Sequence, residues 1–255
     1  MTSNRWVSQW ATSWWRLLLI LRNPILVVRR LWNGASFFTE VPLEEISRFL
    51  SVDSVIVEAG AADGLDTQKL ASLVPRGTVY AFEPFAPMFR QLTLNTKSFT
   101  NIVCEPYALG VADGSEPFFA SLRDGNSGES GSLLEPSQHQ RFYPDIQFSI
   151  ADTVDCVNLD NYFGQSARTF PDFAWLDLQG MELEVLRSSP NVREGLRAIW
   201  TEVCRVPLYR GAPTYGEVKR TLRGWGFVVA IDRVGAVAGN ILFVKTDSSL
   251  RLQQE

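Results

Sequence analysis

The sequence predicts an α/β fold: a mostly parallel, doubly wound sheet that closes with a C-terminal antiparallel hairpin. Three observations carry this expectation. Short apolar runs alternate with amphipathic stretches from Pro42 onward. The first run, "SVIVEAG" (Ser54–Gly60), ends in an acid and a glycine turn just where a helical pattern begins. The last two runs, "FVVAIDRV" and "NILFVK", are joined through Gly235–Gly239 with no helix between them. Alternation of this kind covers both faces of a parallel sheet with helices, and a helix-free turn makes the final pair antiparallel.

The elements follow in order. "PLEEISRFL" (Pro42–Leu50) predicts a short helix leading into the sheet, and Ser54–Gly60 the first buried strand. "DTQKLASLV" (Asp66–Val74) predicts a helix with Asp66 or Thr67 near its start. "GTVYAFEP" (Gly77–Pro84) reads as the second strand, "APMFRQLTLNTKSF" as a helix, and "NIVCEPYALG" (Asn101–Gly110) as a third strand. The pattern then breaks over residues 111–152, which are rich in Gly, Ser and Pro. "TVDCVNLDNYF" has strand and then helix-start character. "PDFAWLDLQG" (Pro171–Gly180) is a strand ending in Asp177, "MELEVLRSS" a helix, and "LRAIWTEV" (Leu196–Val203) a strand ending in Glu202. "YGEVKRTLRGWG" is a helix with a glycine stop. No internal repeat is visible.

Composition bounds the function. The chain has 255 residues, 45% hydrophobic and 20% charged, enough for one α/β domain with an appendage. The three cysteines, Cys104, Cys156 and Cys204, are far apart, which points to reduced thiols in the cytoplasm. A single histidine, His139, excludes a histidine-rich metal site. Residues 1–39 hold five arginines and no acid, which leaves 19 bases against 28 acids in the remainder. An acidic body argues against nucleic acid as the main substrate.

Residues 1–40 read as a basic, tryptophan-rich helical arm, and residues 41–255 as the catalytic domain. Trp6, Trp10, Trp14, Leu17, Leu18 and Leu21 share one helical face. Asn23-Pro24 marks a break and a second helix start. The longest apolar run, Leu17–Leu21, is too short to span a bilayer. Tryptophan and arginine on an amphipathic helix suit a membrane surface, with contact through residues 5–32 at the inner face. The same face equally suits docking on protein, including a homodimer through the arm.

The turn Gly60-Ala61-Ala62-Asp63-Gly64 lets backbone approach a ligand closely, but lacks the GxGxxG spacing of dinucleotide sites. Glu83, 23 residues after Gly60, can accept both hydroxyls of a ribose. A carboxylate at Glu58 would repel a pyrophosphate and suit the sulfonium and ammonium of S-adenosylmethionine, which disfavours an NAD-dependent oxidoreductase.

Further segments share one resemblance. "VEAGAADGLDT" and "VYAFEP" resemble the first two motifs of the FkbM family of methyltransferases. "YALG" followed by Asp113-Gly114 resembles its third, and "CVNLDNYF" its "v.tLDdy" segment. "FAWLDLQGMELEVLRSS" resembles its "KiDvEGaElevLkGa" segment. The resemblance covers roughly Val52 to Lys245. It implies a Rossmann-like class I fold and S-adenosylmethionine-dependent O-methylation of a sugar, glycolipid or glycosylated natural product. It places the cofactor against Glu58, Gly60, Ala61, Ala62, Gly64, Glu83, Pro84, Ala108 and Asp177. Glu58 stands where the family has Asp, Trp175 where Lys is common, and Gln179 where Glu is usual. These departures motivate the alternative of a non-catalytic cofactor-binding or scaffold protein.

A sugar hydroxyl needs a base, or a metal that lowers its pKa. Asp177 is the expected base, with Glu182 and Glu202 at the same rim. Asp177 and Glu202 could also hold Mg²⁺ or another divalent cation through oxygen ligands. His139, in the polar insertion, is a second candidate base. The insertion (residues 111–170, most polar from Arg123 to Asp145) is expected to act as a lid or to contact the acceptor, a small-molecule or lipid-linked glycan.

Overall fold

The computed structural model describes residues 43–246 apart from 124, 166 and 167. The arm expected at residues 1–40 lies outside the described residues. Among those described, no helix is long and apolar enough to cross a membrane.

A seven-stranded sheet forms the frame. Its strands are β1 (Val55–Ala59), β2 (Thr78–Phe82), β3 (Ile102–Glu105), β8 (Phe173–Leu176), β9 (Ala198–Cys204), β10 (Phe227–Val234) and β11 (Ala238–Lys245). They are ordered β10-β11-β9-β8-β1-β2-β3. The pairs β3–β2, β2–β1, β1–β8 and β8–β9 are parallel. The final strand β11 runs antiparallel between β9 and β10. This is the Rossmann-like class I methyltransferase arrangement that the sequence implied.

Parallel strands covered on both faces are apolar along their whole length. Ile56, Val57 and Ala59 of β1 are fully buried, as are Phe173 and Ala174 of β8. One face packs Val57, Ala59, Leu176 and Ile199 against Leu159, Phe163, Val185 and Leu186. These last four come from α5 (Leu159–Gly164) and α6 (Glu182–Ser188). The other face carries α2 (Leu65–Leu73) and α3 (Ala86–Thr96), with Leu92 against Ala81. The "NLDNYF" segment builds helix ends here. Asn158 caps α5 by accepting from Asn161 N, and Asp160 accepts from the first amides of the helix Pro190–Gly195.

Two expectations change. The run Asn101–Gly110 is not one strand. Pro106 has no N–H to donate to a ladder, so β3 stops at Glu105. The chain resumes as β4 (Ala108–Leu109), which leaves the large sheet and pairs with β7 (Ile146–Val157). The polar insertion is likewise ordered into strands. β5 (Gly114–Arg123) runs antiparallel to β7, and β6 (Asn126–Ser127) closes a second sheet ordered β4-β7-β5-β6. The three cysteines are free thiols, as expected.

Candidate active site

The strand order reverses at β1, whose neighbours are β2 and β8. A crevice opens outside the carboxyl ends of strands at such a point, and ligands bind there. Three loops meet at it. Gly60 has φ +79°, and a Cβ at this position would lie 2.1 Å from the Asp177 carbonyl oxygen. Only glycine allows the β1 and β8 loops to touch in this way. Gly60 N and Ala61 N both donate to Phe82 O, at 3.0 and 3.1 Å. Ala62 is left-handed, at φ +48°.

Glu83 fastens this turn to the next. Its Oε2 accepts from Ala62 N at 3.0 Å and its Oε1 from Phe85 N at 2.8 Å. Burial pushes its carboxyl up to about 7, with the two amides opposing and Asp177 adding to the rise. An apolar wall of Phe82, Phe85, Met88, Tyr107, Leu109 and Phe118 faces the loops. Phe85 and Phe118 stack at 6.0 Å. Gly128, Glu129, Gly131 and Ser132, from the segment after β6, complete the cleft.

Asp177 lies at the cleft floor. Gln179, left-handed at φ +51°, donates through Nε2 to Asp177 Oδ1 at 2.6 Å and to Glu202 Oε2 at 2.9 Å. Burial raises Asp177 to about 6; the Gln179 amide opposes this and the Glu129 charge adds to it. Burial, then Asp177 and Glu182, raise Glu202 well above the usual carboxylate range. Tyr209 Oη lies 2.7 Å from Ser130 O and 3.0 Å from Gln179 Oε1. Ser132 Oγ donates to Gln179 O at 3.1 Å.

Six of the residues expected at the site line the cleft: Gly60, Ala62, Glu83, Pro84, Ala108 and Asp177. The others are displaced, each for a physical reason. Side chains alternate along a strand. Val57 and Ala59 face the main core, so Glu58 points to the opposite face, near Asp63 and Asp66 at the start of α2. It is buried there with Oε2 unpaired, and burial pushes it up to about 8. Ala61 packs with Ala81 and Leu92. Gly64, at φ +83°, abuts Leu92 and Thr96 rather than the cleft.

Glu182 is a structural cap. Its carboxylate accepts from Leu178 N at 2.8 Å and Gly180 N at 3.1 Å, which shapes the turn that presents Asp177. His139 is corrected too. It is 2% exposed and boxed by the rings of Tyr143, Phe148 and Tyr209. Burial pushes it down to about 4, so it stays neutral and away from the cleft lining. Glu202 lies beside Asp177 on the neighbouring strand, within β9 and not at its end, and does not line the cleft. The expectation that Asp177 and Glu202 hold a divalent cation also fails on geometry. An N–H donor occupies the position between them, and no metal-ligating group of three acids, Cys or His exists among the described residues.

Sequence reasoning missed Tyr107, Phe118, Glu129, Ser132 and Tyr209. The one available signal was the "GESGS" stretch, whose small residues let backbone approach: Gly131 abuts the Phe118 ring and Gly128 the Ser121 hydroxyl.

Comparison with known proteins now decides the family. The model of the methyltransferase FkbM domain matches residues 58–229. The chain belongs to the FkbM methyltransferase family. It is 26% identical over 197 residues to the 2-O-methyltransferase NoeI of Sinorhizobium fredii, covering 76% of this chain and 80% of that one. A shorter match, 39% over 64 residues, is to the AMB antimetabolite synthetase AmbE of Pseudomonas aeruginosa, covering 25% of this chain and 3% of that protein. Among solved structures, the FkbM methyltransferase of Methylobacillus flagellatus superposes with a TM-score of 0.48 at 12% identity, over 76% of this chain and 44% of that one.

Proposed function

We propose that this FkbM-family chain is an S-adenosylmethionine-dependent O-methyltransferase acting on a hydroxyl of a sugar, glycolipid or glycosylated natural product. One observation carries the proposal: the Asp177 carboxylate opens into a cleft whose opposite loop is fastened by Glu83. The cleft fits the cofactor. The wall of Phe82, Phe85 and Met88 suits a flat adenine, and the Glu83 carboxylate keeps lone pairs for ribose hydroxyls. The Gly60–Ala62 backbone is bare enough for close approach. When bound, S-adenosylmethionine supplies an electrophilic methyl on a sulfonium.

Methyl transfer is an in-line displacement, so the protein's work is positioning and proton removal. Asp177 takes the acceptor hydroxyl's proton at its free carboxylate oxygen as the oxygen–methyl bond forms. With its carboxyl near 6, it is ionised at neutral pH and still basic enough to accept a proton. The name of the NoeI relative supports an oxygen acceptor. The basic tryptophan arm supports a lipid-linked acceptor presented at a membrane surface, which flotation of the chain on anionic vesicles tests. Equal recovery after Trp6, Trp10 and Trp14 are changed to Ala excludes it.

The deciding experiment has two parts. Calorimetry with S-adenosylhomocysteine is expected to give binding that Glu83→Ala weakens at least tenfold. Transfer from methyl-labelled cofactor is then measured over hydroxylated glycans, with Asp177→Asn expected to lose 10²–10⁴-fold while still binding S-adenosylhomocysteine. Wild-type binding of NAD instead, or full activity of Asp177→Asn, overturns the reading.

A further inference from the structure

Gln179 is over-determined in a way that cofactor binding does not require. Its backbone is left-handed at φ +51°, a conformation that costs a non-glycine residue about 1 kcal/mol and persists where surroundings fix it. Both hydrogens of its amide nitrogen are used, one on Asp177 and one on Glu202. Its amide oxygen faces the Tyr209 hydroxyl, and its main-chain carbonyl holds Ser132.

The charges around this pair make the amide necessary. Glu83 and Glu129 face Asp177 from the cleft walls, and Asp66 from α2. Glu182 lies beside both acids, while Tyr143, Cys204 and Tyr209 face Glu202. None of these groups is cationic. Two carboxylates in such surroundings cannot both ionise unless donors separate them. Gln179 is the side chain that reaches both.

We propose that Gln179 is a positioning residue whose amide bridges Asp177 and Glu202 and keeps Asp177 ionised towards the cleft, with Tyr209 fixing the direction of the amide. This rests on the reading of Asp177 as the base. Loss of the bridge leaves the two acids facing each other without a donor, so one of them retains a proton. Asp177, having lost the donor that favours its ionised form, then holds its own proton to a higher pH.

The test follows ionisation directly and needs no acceptor. The full chain is labelled with ¹³C at its aspartate and glutamate carboxyls and titrated from about pH 4 to about pH 9 by NMR. Asp177→Asn and Glu202→Gln assign the two signals. Gln179→Leu is expected to move the Asp177 titration up by about one pH unit or more. Tyr209→Phe moves it in the same direction by less. Both variants are expected to bind S-adenosylhomocysteine within about threefold of wild type, since neither residue lines the cleft. Gln179→Met, a closer match in shape, serves if the leucine variant does not fold. An unchanged Asp177 titration in a folded Gln179 variant overturns the proposal. Failure of the wild type to bind S-adenosylhomocysteine overturns the cofactor reading instead, and leaves the titration comparison standing.

Discussion

The two walls of the cleft are built on different principles. The wall at the ends of β1 and β2 is made of backbone: Gly60 pressed on Asp177 O, left-handed Ala62, and Glu83 tied to two main-chain amides. The opposite wall is made of side chains brought from afar. Phe118 comes from β5, Glu129 and Ser132 from the segment after β6, and Tyr209 anchors that segment from the loop after β9. A backbone wall tolerates few sequences and serves a ligand that does not vary. A side-chain wall on a separate sheet can be altered without disturbing the first, which suits the half that selects an acceptor.

The contrast breaks most sharply at Gly60. Gly60→Ala adds a Cβ that meets a main-chain oxygen, on a left-handed backbone. The expected cost is roughly 3–5 kcal/mol, with loss of S-adenosylhomocysteine binding. Chemical denaturation and calorimetry read the two effects. Phe118→Ala attacks the other wall. Removing this buried ring from its stack on Phe85 is expected to cost about 3 kcal/mol, seen in denaturant melts. Calorimetry that finds cofactor binding lost only with Gly60→Ala, and kept in folded Phe118→Ala, sharpens the division between the walls; equal loss in both breaks it.

Ionisation gives a third prediction. Glu58, Glu83 and Glu182 are raised by burial to about 8, 7 and 7. Between the ordinary carboxylate pKa near 4.5 and these values, the folded chain binds more protons than the unfolded chain. Their contribution to stability therefore falls as pH rises from about 4.5 to about 8 and levels off above, while buried His139, pushed down to about 4, contributes in the opposite sense below about 6.5. Glu58→Gln removes the largest of these contributions. Its thermal midpoint is expected to exceed wild type by a few degrees at pH 8 and to match it near pH 5, as scanning calorimetry would show. The smallest effect is expected from Ser132→Ala. It removes one hydroxyl bonded to Gln179 O and Leu134 N, at a cost of about 1 kcal/mol.

The same division governs what the sequence disclosed. Local signals placed the backbone wall well: an acid, a glycine turn and an acid 23 residues on lie within consecutive elements. They misjudged Glu58, because one position along a strand decides which face a side chain takes, and the two faces here are both buried. The side-chain wall was nearly illegible. Its strands β5 and β7 are half exposed and carry Ser, Asp and Pro, so their composition resembles a loop. Pairing between Gly114 and Cys156, 42 residues apart, leaves no periodic mark. Gln179 stood out only as a departure from a family pattern. Its partner Tyr209, 30 residues later, gave no signal at all.

The last strand has a consequence for how the molecule is made. β11 is wedged between β9 and β10, so β9 has only β8 beside it and β10 has no partner until residues 238–245 arrive. During vectorial synthesis, the outer edge of β9 stays open through the making of α8 (Tyr215–Gly224) and β10. The nascent chain thus carries the open outer edge of β9 and an unpaired β10 until residues 238–245 arrive, and one inserted strand pairs with both at once.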